Sequence, residues 1–301
     1  MDRREGAGAR ARSVGRRWPW VVACALVLVI AAGAAGCALV SGEFEPHVAT
    51  SEMAAESLTS RFLAVGDGRV HYVFAGGPGA PVVFVHGSPG TWDAWRGYLR
   101  DPELSGLAAL VALDRPGFGG SERGRAVASL EQQAAAVAAV VEAVGGGAAV
   151  VVGHSLGGPI AARLACDRPE LVRGLVLVAP SLDPELERRR WFNVAGSLRA
   201  VQWFLPVDLI TSNREIWPLR EELEALAPRL ARIAVPTIVV QGGRDTLVAP
   251  ANAEFAARAL TGAQVEVRRY PEATHFLVWE RPALVRDAVV DLLARLAGEA
   301  R

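Results

Sequence analysis

The chain has no lysine; all 32 of its basic residues are arginine. That absence excludes a Schiff-base lysine, a P-loop lysine and a Ser-Lys dyad. There is no charge of either sign in excess, because the formal net charge is zero, so nothing points to nucleic acid or to an acidic partner. Cysteine is scarce. Of Cys24, Cys37 and Cys166, only Cys166 falls in the globular part, which leaves no internal disulfide framework there. Cys166 follows a helical run of small residues and reads as a small buried core residue. No cluster of His, Cys, Asp and Glu has metal-ligand spacing, so neither a metal nor a cofactor is expected. What the chain does have is apolar residues, 51% of 301. That suits one domain with a large core and some chain to spare.

The spare chain is N-terminal. Arg3, Arg4, Arg10, Arg12, Arg16 and Arg17 stand against only Asp2 and Glu5, and the run from Val21 to Val40 carries no charge. Such a run, as a helix, spans a hydrocarbon core of about 30 Å. The preceding arginines predict a cytoplasmic N-terminus and an extracytoplasmic domain. Residues 1–40 therefore read as a signal segment with three possible fates. It stays as an anchor, it is cleaved after Ala32-Gly33-Ala34, or Ala34-Ala35-Gly36-Cys37 acts as a lipobox and Cys37 is lipidated. Residues 41–60, polar and holding Pro46, read as a linker.

From residue 61 to 301 short apolar runs alternate with helical patterns. Strands are predicted at 69–75, 81–85, 110–113, 148–152, 175–178, 237–240 and 265–270. The run Ala148–Val152 follows three glycines and suits a strand buried on both faces. Ser129-Leu130-Glu131-Gln132 is a capping box that opens a helix stopping at Gly145. Pro282 and Gly298 bracket a C-terminal helix. This alternation predicts an α/β fold, a mostly parallel sheet with helices on both faces. Residues 182–235 exceed what a plain crossover needs and read as a small helical cap. Its Trp191, Phe192 and Trp203, with Trp92, are the candidate substrate-pocket residues.

Gly153-His154-Ser155-Leu156-Gly157 fits G-x-S-x-G and sits between a buried strand and a small-residue helix. That setting is what a nucleophile elbow requires, and the helix N-terminus behind Ser155 favours developing negative charge. A serine hydroxyl needs a base to take its proton. Of five histidines, only His275 follows Ser155, between the last strand and the last helix. The acid must lie between them. Asp245, at the end of Gln241-Gly242-Gly243-Arg244-Asp245, directly follows a strand; Asp183, after the preceding strand, is the second candidate. Glu272 reads as a solvated loop charge. An oxyanion hole needs two backbone N–H donors. Leu156 supplies one and Ser88, in His86-Gly87-Ser88-Pro89-Gly90, is the candidate for the other, since Pro89 has no N–H. Asp114-Arg115-Pro116-Gly117 lacks the lysine of a phosphate loop and reads as a structural turn that braces the site, with His86 and His154 as packing or loop-holding residues.

Taken together, HGSPG at 86–90, DRPGFGGS at 114–121, GHSLGG at 153–158, GGRD at 242–245 and His275 resemble the α/β-hydrolase superfamily, in its order, over about residues 61–298. The resemblance implies that fold and a Ser155–His275–Asp245 triad. HGSPG is similar to the HGGPG of proline iminopeptidases, but Ser88 replaces a glycine, so peptidase activity is not carried over. Haloalkane dehalogenases and epoxide hydrolases look similar overall but use an aspartate nucleophile, and Ser155 argues against both. The expectation is acyl transfer from an ester or lipid-like substrate to water. A C–C or amide hydrolase, or a non-catalytic binding module on this fold, are the alternatives.

Overall fold

The computed structural model describes residues 57–299. The signal segment, Cys24, Cys37 and nearly all of the linker lie outside that range. Among the described residues no helix is long and apolar enough to cross a membrane.

Eight strands form one sheet in the order β1-β2-β4-β3-β5-β6-β7-β8. They are β1 (Thr59–Val65), β2 (Gly68–Gly76), β3 (Pro81–Val85), β4 (Ala109–Leu113), β5 (Ala149–His154), β6 (Val172–Val178), β7 (Thr237–Gly242) and β8 (Val265–Tyr270). β1 and β2 pair antiparallel, and β2 runs antiparallel to β4. From β4 through β8 every pairing is parallel.

β3, β4 and β5 are buried along their whole length. Alternation sends their side chains into two separate cores. Val83, Val85, Val111, Leu113, Val151 and Leu175 pack with the helices Leu130–Val144 and Gly157–Asp167 on one face. Val82, Phe84, Leu110, Val150, Val176 and Ile238 pack with Trp95, Leu104, Val289 and Leu292 on the other. A strand covered on both faces must be apolar at consecutive positions, which is why these strands were legible as continuous runs.

Two details of the sequence reading change. Thr59 and Ser60, assigned to the linker, begin β1, which went unpredicted. β1 is an edge strand exposed at most positions, so it has no buried face to impose an apolar pattern. The C-terminal helix Pro282–Glu299 starts at the expected proline and runs one residue past Gly298. Of the capping box only one arm is seen: Ser129 Oγ accepts from the N–H of Gln132, and Gly145 ends the helix with φ +73°.

The insertion between β6 and β7 is helical, with segments Trp191–Ser197, Arg199–Gln202, Val207–Ile216, Leu219–Leu226 and Ala227–Arg232.

Candidate active site

The parallel strands end at one edge of the sheet, where α/β sheets of this type carry their sites. β5 ends at His154, and Ser155 follows with φ +54°. A non-glycine residue enters that left-handed region at a cost, and it does so here because the chain must turn at once from strand into the helix Gly157–Asp167. The turn leaves no room for side chains around it. A Cβ on Gly153 would lie 2.3 Å from the carbonyl oxygen of Gly157, and one on Gly157 would lie 2.3 Å from that of Val85. Ser155 is thereby presented on a sharp elbow at the N-terminus of an 11-residue helix, whose dipole favours negative charge at that point.

Asp245 follows β7 and is buried. Its Oδ1 accepts from the N–H groups of Leu247 at 2.9 Å and Val248 at 2.8 Å. Its Oδ2 lies 2.7 Å from Nδ1 of His275. The two backbone donors fix the carboxylate, and the carboxylate fixes the imidazole. With Nδ1–H given to Asp245, Nε2 is the nitrogen left to take a proton. The alternative acid is elsewhere: Asp183 Oδ1 accepts from the N–H of Glu185, and its own N–H donates to Asn252, so it closes a local turn. Glu272 forms an exposed ion pair with Arg244.

His154 joins the two halves. Its ring centroid is 4.8 Å from that of His275, and its Nε2–H donates to the His275 carbonyl at 3.1 Å. Burial pushes its pKa down to about 3, so it stays neutral and acts as a fixed donor. His154, next to Ser155 in the chain, thus lies against His275. Among the described residues the side chains of Ser155 and His275 share no direct hydrogen bond.

The loop after β3 packs directly on the elbow: a Cβ on Gly87 would stand 3.0 Å from the Cβ of Ser155. His86 Nδ1–H donates to the Gly87 carbonyl at 2.7 Å while Nε2 accepts from the N–H of Arg115 at 3.0 Å. Desolvation drives the His86 pKa far down, in keeping with a neutral, loop-holding ring. Arg115 also donates to the carbonyls of His86, at 3.0 Å, and Gly87, at 2.8 Å. Asp114 accepts from the N–H groups of Trp92 and Gly120 and from the His71 ring. Asp114 and Arg115 thus brace the site, as their turn suggested.

A family model described as alpha/beta hydrolase fold matches residues 80–212, and one described as serine aminopeptidase, S33, matches residues 207–282. The chain belongs to the α/β-hydrolase superfamily. Among curated relatives of this α/β-hydrolase, the dihydrolipoyllysine-residue acetyltransferase component of the acetoin cleaving system of Cupriavidus necator is 30% identical over 73% of this chain and 65% of that protein. The chain thus spans about two thirds of that relative's length. Haloalkane dehalogenase 2 of Mycobacterium tuberculosis is 26% identical over 77% of this chain and 94% of its own. Among solved structures, a bacterial membrane phospholipase A superposes with a TM-score of 0.64 at 23% identity, over 93% of this chain and 99% of that one. At that identity the likeness shows the fold.

Within this α/β-hydrolase the pocket expectation needs correction. Trp92 is buried, but Trp191 is 65%, Phe192 45% and Trp203 89% exposed. The insert turns these aromatics to solvent, so they do not wall an enclosed pocket. The insert packs inward through Leu219, Leu223, Leu226 and Leu230 and, on the helix before them, through a polar face. Thr211, Ser212 and Glu215 are the buried residues of the helix Val207–Ile216. Glu215 receives both Nη atoms of Arg115, each at 2.9 Å, the side-chain N–H of Gln133 at 3.2 Å, and the hydroxyl of Ser88. Ser88 Oγ also lies 2.9 Å from Ser212 Oγ. Ser212, Glu215 and Gln133 escaped the sequence reading. Their one signal was polar side chains at 211, 212 and 215 of an otherwise mixed helix, and that pattern does not say which face is buried.

Proposed function

We propose that this chain is a serine hydrolase acting on carboxylic ester bonds. The observation that carries the reading is the buried 2.7 Å contact between Asp245 Oδ2 and His275 Nδ1, beside a strained Ser155 on a strand-to-helix elbow. In this reading His275 Nε2 takes the Ser155 proton as Oγ attacks the carbonyl carbon. The oxyanion is held by the N–H groups of Leu156 and Ser88. The protonated imidazole then gives its proton to the leaving alkoxide, and water releases the acyl group by the same path reversed. Asp245 holds the imidazole tautomer and stabilises its cation.

A serine nucleophile supports hydrolysis of acyl bonds rather than the chemistry named for the dehalogenase relative. An amide-hydrolase reading of the same residues is favoured by one observation, the match of residues 207–282 to the serine aminopeptidase model. The N-terminal charge-free run supports a membrane-anchored, extracytoplasmic placement.

The test is labelling of the full-length protein with a fluorophosphonate, run beside ester and aminoacyl substrate panels. Wild type is expected to label and to hydrolyse esters, and Ser155→Ala to lose the label and at least about 10⁴-fold of the activity. An unlabelled wild type overturns the reading, and turnover confined to aminoacyl substrates replaces it with the amide one.

A further inference from the structure

The insert exposes far more aromatic surface than a water-facing helix needs. Trp203 is 89%, Phe204 84% and Trp191 65% exposed, with Leu198 at 54%. Contiguous exposed apolar patches on soluble domains mark contact sites. Arginine predominates along this stretch: residues 188–207 contain Arg188, Arg189, Arg190 and Arg199 and no acid, with Glu187 and Asp208 just outside it. Arg189 pairs with Glu221, and Arg190 donates to the carbonyls of Thr246 and Leu247. Arg188 and Arg199 are exposed and have no ion-pair partner among the described residues.

The same bonds from Arg190 fasten the start of the patch to the loop that carries Asp245. Apolar exposure continues at the active-site edge, where Leu247 is 44%, Phe276, next to His275, 37%, and Trp279 50% exposed. Tryptophan and phenylalanine with arginine at their rim is the composition that settles at a bilayer surface, rings among the headgroups and guanidinium on anionic phosphate. The chain outside the described residues fits that placement. The charge-free run ends at Val40, and residues 41–56 reach at most about 55 Å when extended. A domain on so short a tether stays within reach of the membrane.

We propose that the face formed by Trp191, Leu198, Trp203 and Phe204, flanked by Arg188 and Arg199, is a docking surface for a bilayer bearing anionic headgroups. It turns the active-site edge toward lipid. This deepens the ester-hydrolase reading by naming where an apolar substrate comes from, but its test does not depend on catalysis.

The experiment uses the full chain with Cys24, Cys37 and Cys166 replaced by serine. An environment-sensitive fluorophore is placed at Trp203→Cys or, as control, at Glu142→Cys near the end of the helix Leu130–Val144. Vesicles of phosphatidylcholine with phosphatidylglycerol are expected to blue-shift the label at 203 and leave that at 142 unchanged. Half-saturation is expected at roughly 25-fold less lipid than with phosphatidylcholine alone, on the order of fivefold for each of the two unpaired arginines. Adding Ser155→Ala is expected to change nothing, so a failure of the hydrolase reading is told apart from a failure of this one. No shift at 203, or an equal shift at 142, overturns the proposal. So does a blue-shifted label without vesicles. If that shift grows with protein concentration the face binds a second copy, and if it is independent of concentration the chain's own N-terminal segment covers it.

Discussion

Asp245 illustrates how one side chain is committed by its surroundings. Its two oxygens divide their work, Oδ1 to the backbone N–H groups of Leu247 and Val248 and Oδ2 to His275. Replacing it with asparagine keeps the size and offers an amide where the imidazole needs an acceptor. The ring then has reason to flip its tautomer and present the wrong nitrogen to Ser155. Asp245→Asn is expected to lower kcat by about 10⁴-fold with little change in KM, measured by steady-state ester hydrolysis. A loss below about tenfold would move the acid's role to another residue. At this scale the sequence singled out two side chains that meet in the fold, Asp245 and His275. Chain order and a single downstream histidine pointed to His275, and two glycines before Asp245 marked an exposed turn. It could not name Ser88 as a side-chain partner of Glu215, because the two are far apart along the chain and meet only in the fold.

Among the elements, the helix Val207–Ile216 departs most from expectation. An amphipathic helix usually buries its apolar stripe. Here Thr211, Ser212 and Glu215 face inward, because the loop after β3 and the turn after β4 present Ser88 and the Arg115 guanidinium to be matched. Arg115 and Glu215 are both essentially inaccessible to water. Removing one partner leaves the other charge buried and unpaired, so Glu215→Ala is expected to destabilise the protein by about 3–5 kcal/mol. Replacing both partners with apolar residues is expected to cost less, and urea unfolding of the two variants would show it. The insert is thus pinned by an ion pair to the turn after β4 and by a hydroxyl to the loop after β3. Its apolar residues divide: Leu219, Leu223, Leu226 and Leu230 join the core, while Trp191, Trp203 and Phe204 face solvent. The strands tell the opposite story. β3 and β8 were read to the residue, because a strand buried on both faces can only be apolar, or because flanking turn residues closed the run. β1, exposed at the edge, carries no such constraint.

For the whole molecule, the edge of the sheet holding the site concentrates groups that must stay uncharged. His154 and His86 are both buried, and burial pulls the pKa of each below the ordinary value, to about 3 for His154. The unfolded chain protonates both near pH 6.5 while the native state does not, so below pH 6.5 the unfolded state binds more protons. Stability is then expected to be full above about pH 7 and to fall as pH drops from 6.5 toward 3, by up to about 1.4 kcal/mol per pH unit for each histidine. Melting temperatures at pH 7.5, 6.0 and 5.0 test this, and His154→Gln is expected to flatten the slope. An unchanged slope would assign the acid sensitivity to other groups.

The sequence by itself determined the fold class, the sharp turn at Ser155 and the candidates His275 and Asp245. Each of these is enforced locally: by strands that must be apolar on two faces, by glycines where backbones nearly touch, and by the chain order of this fold. Only the tertiary structure decided which face of the insert is buried, that its aromatics meet solvent, and that Glu215 reaches across to Arg115 and Ser88. Those outcomes depend on what each element finds opposite it, and a periodic pattern states that an element has two faces without stating which one is covered.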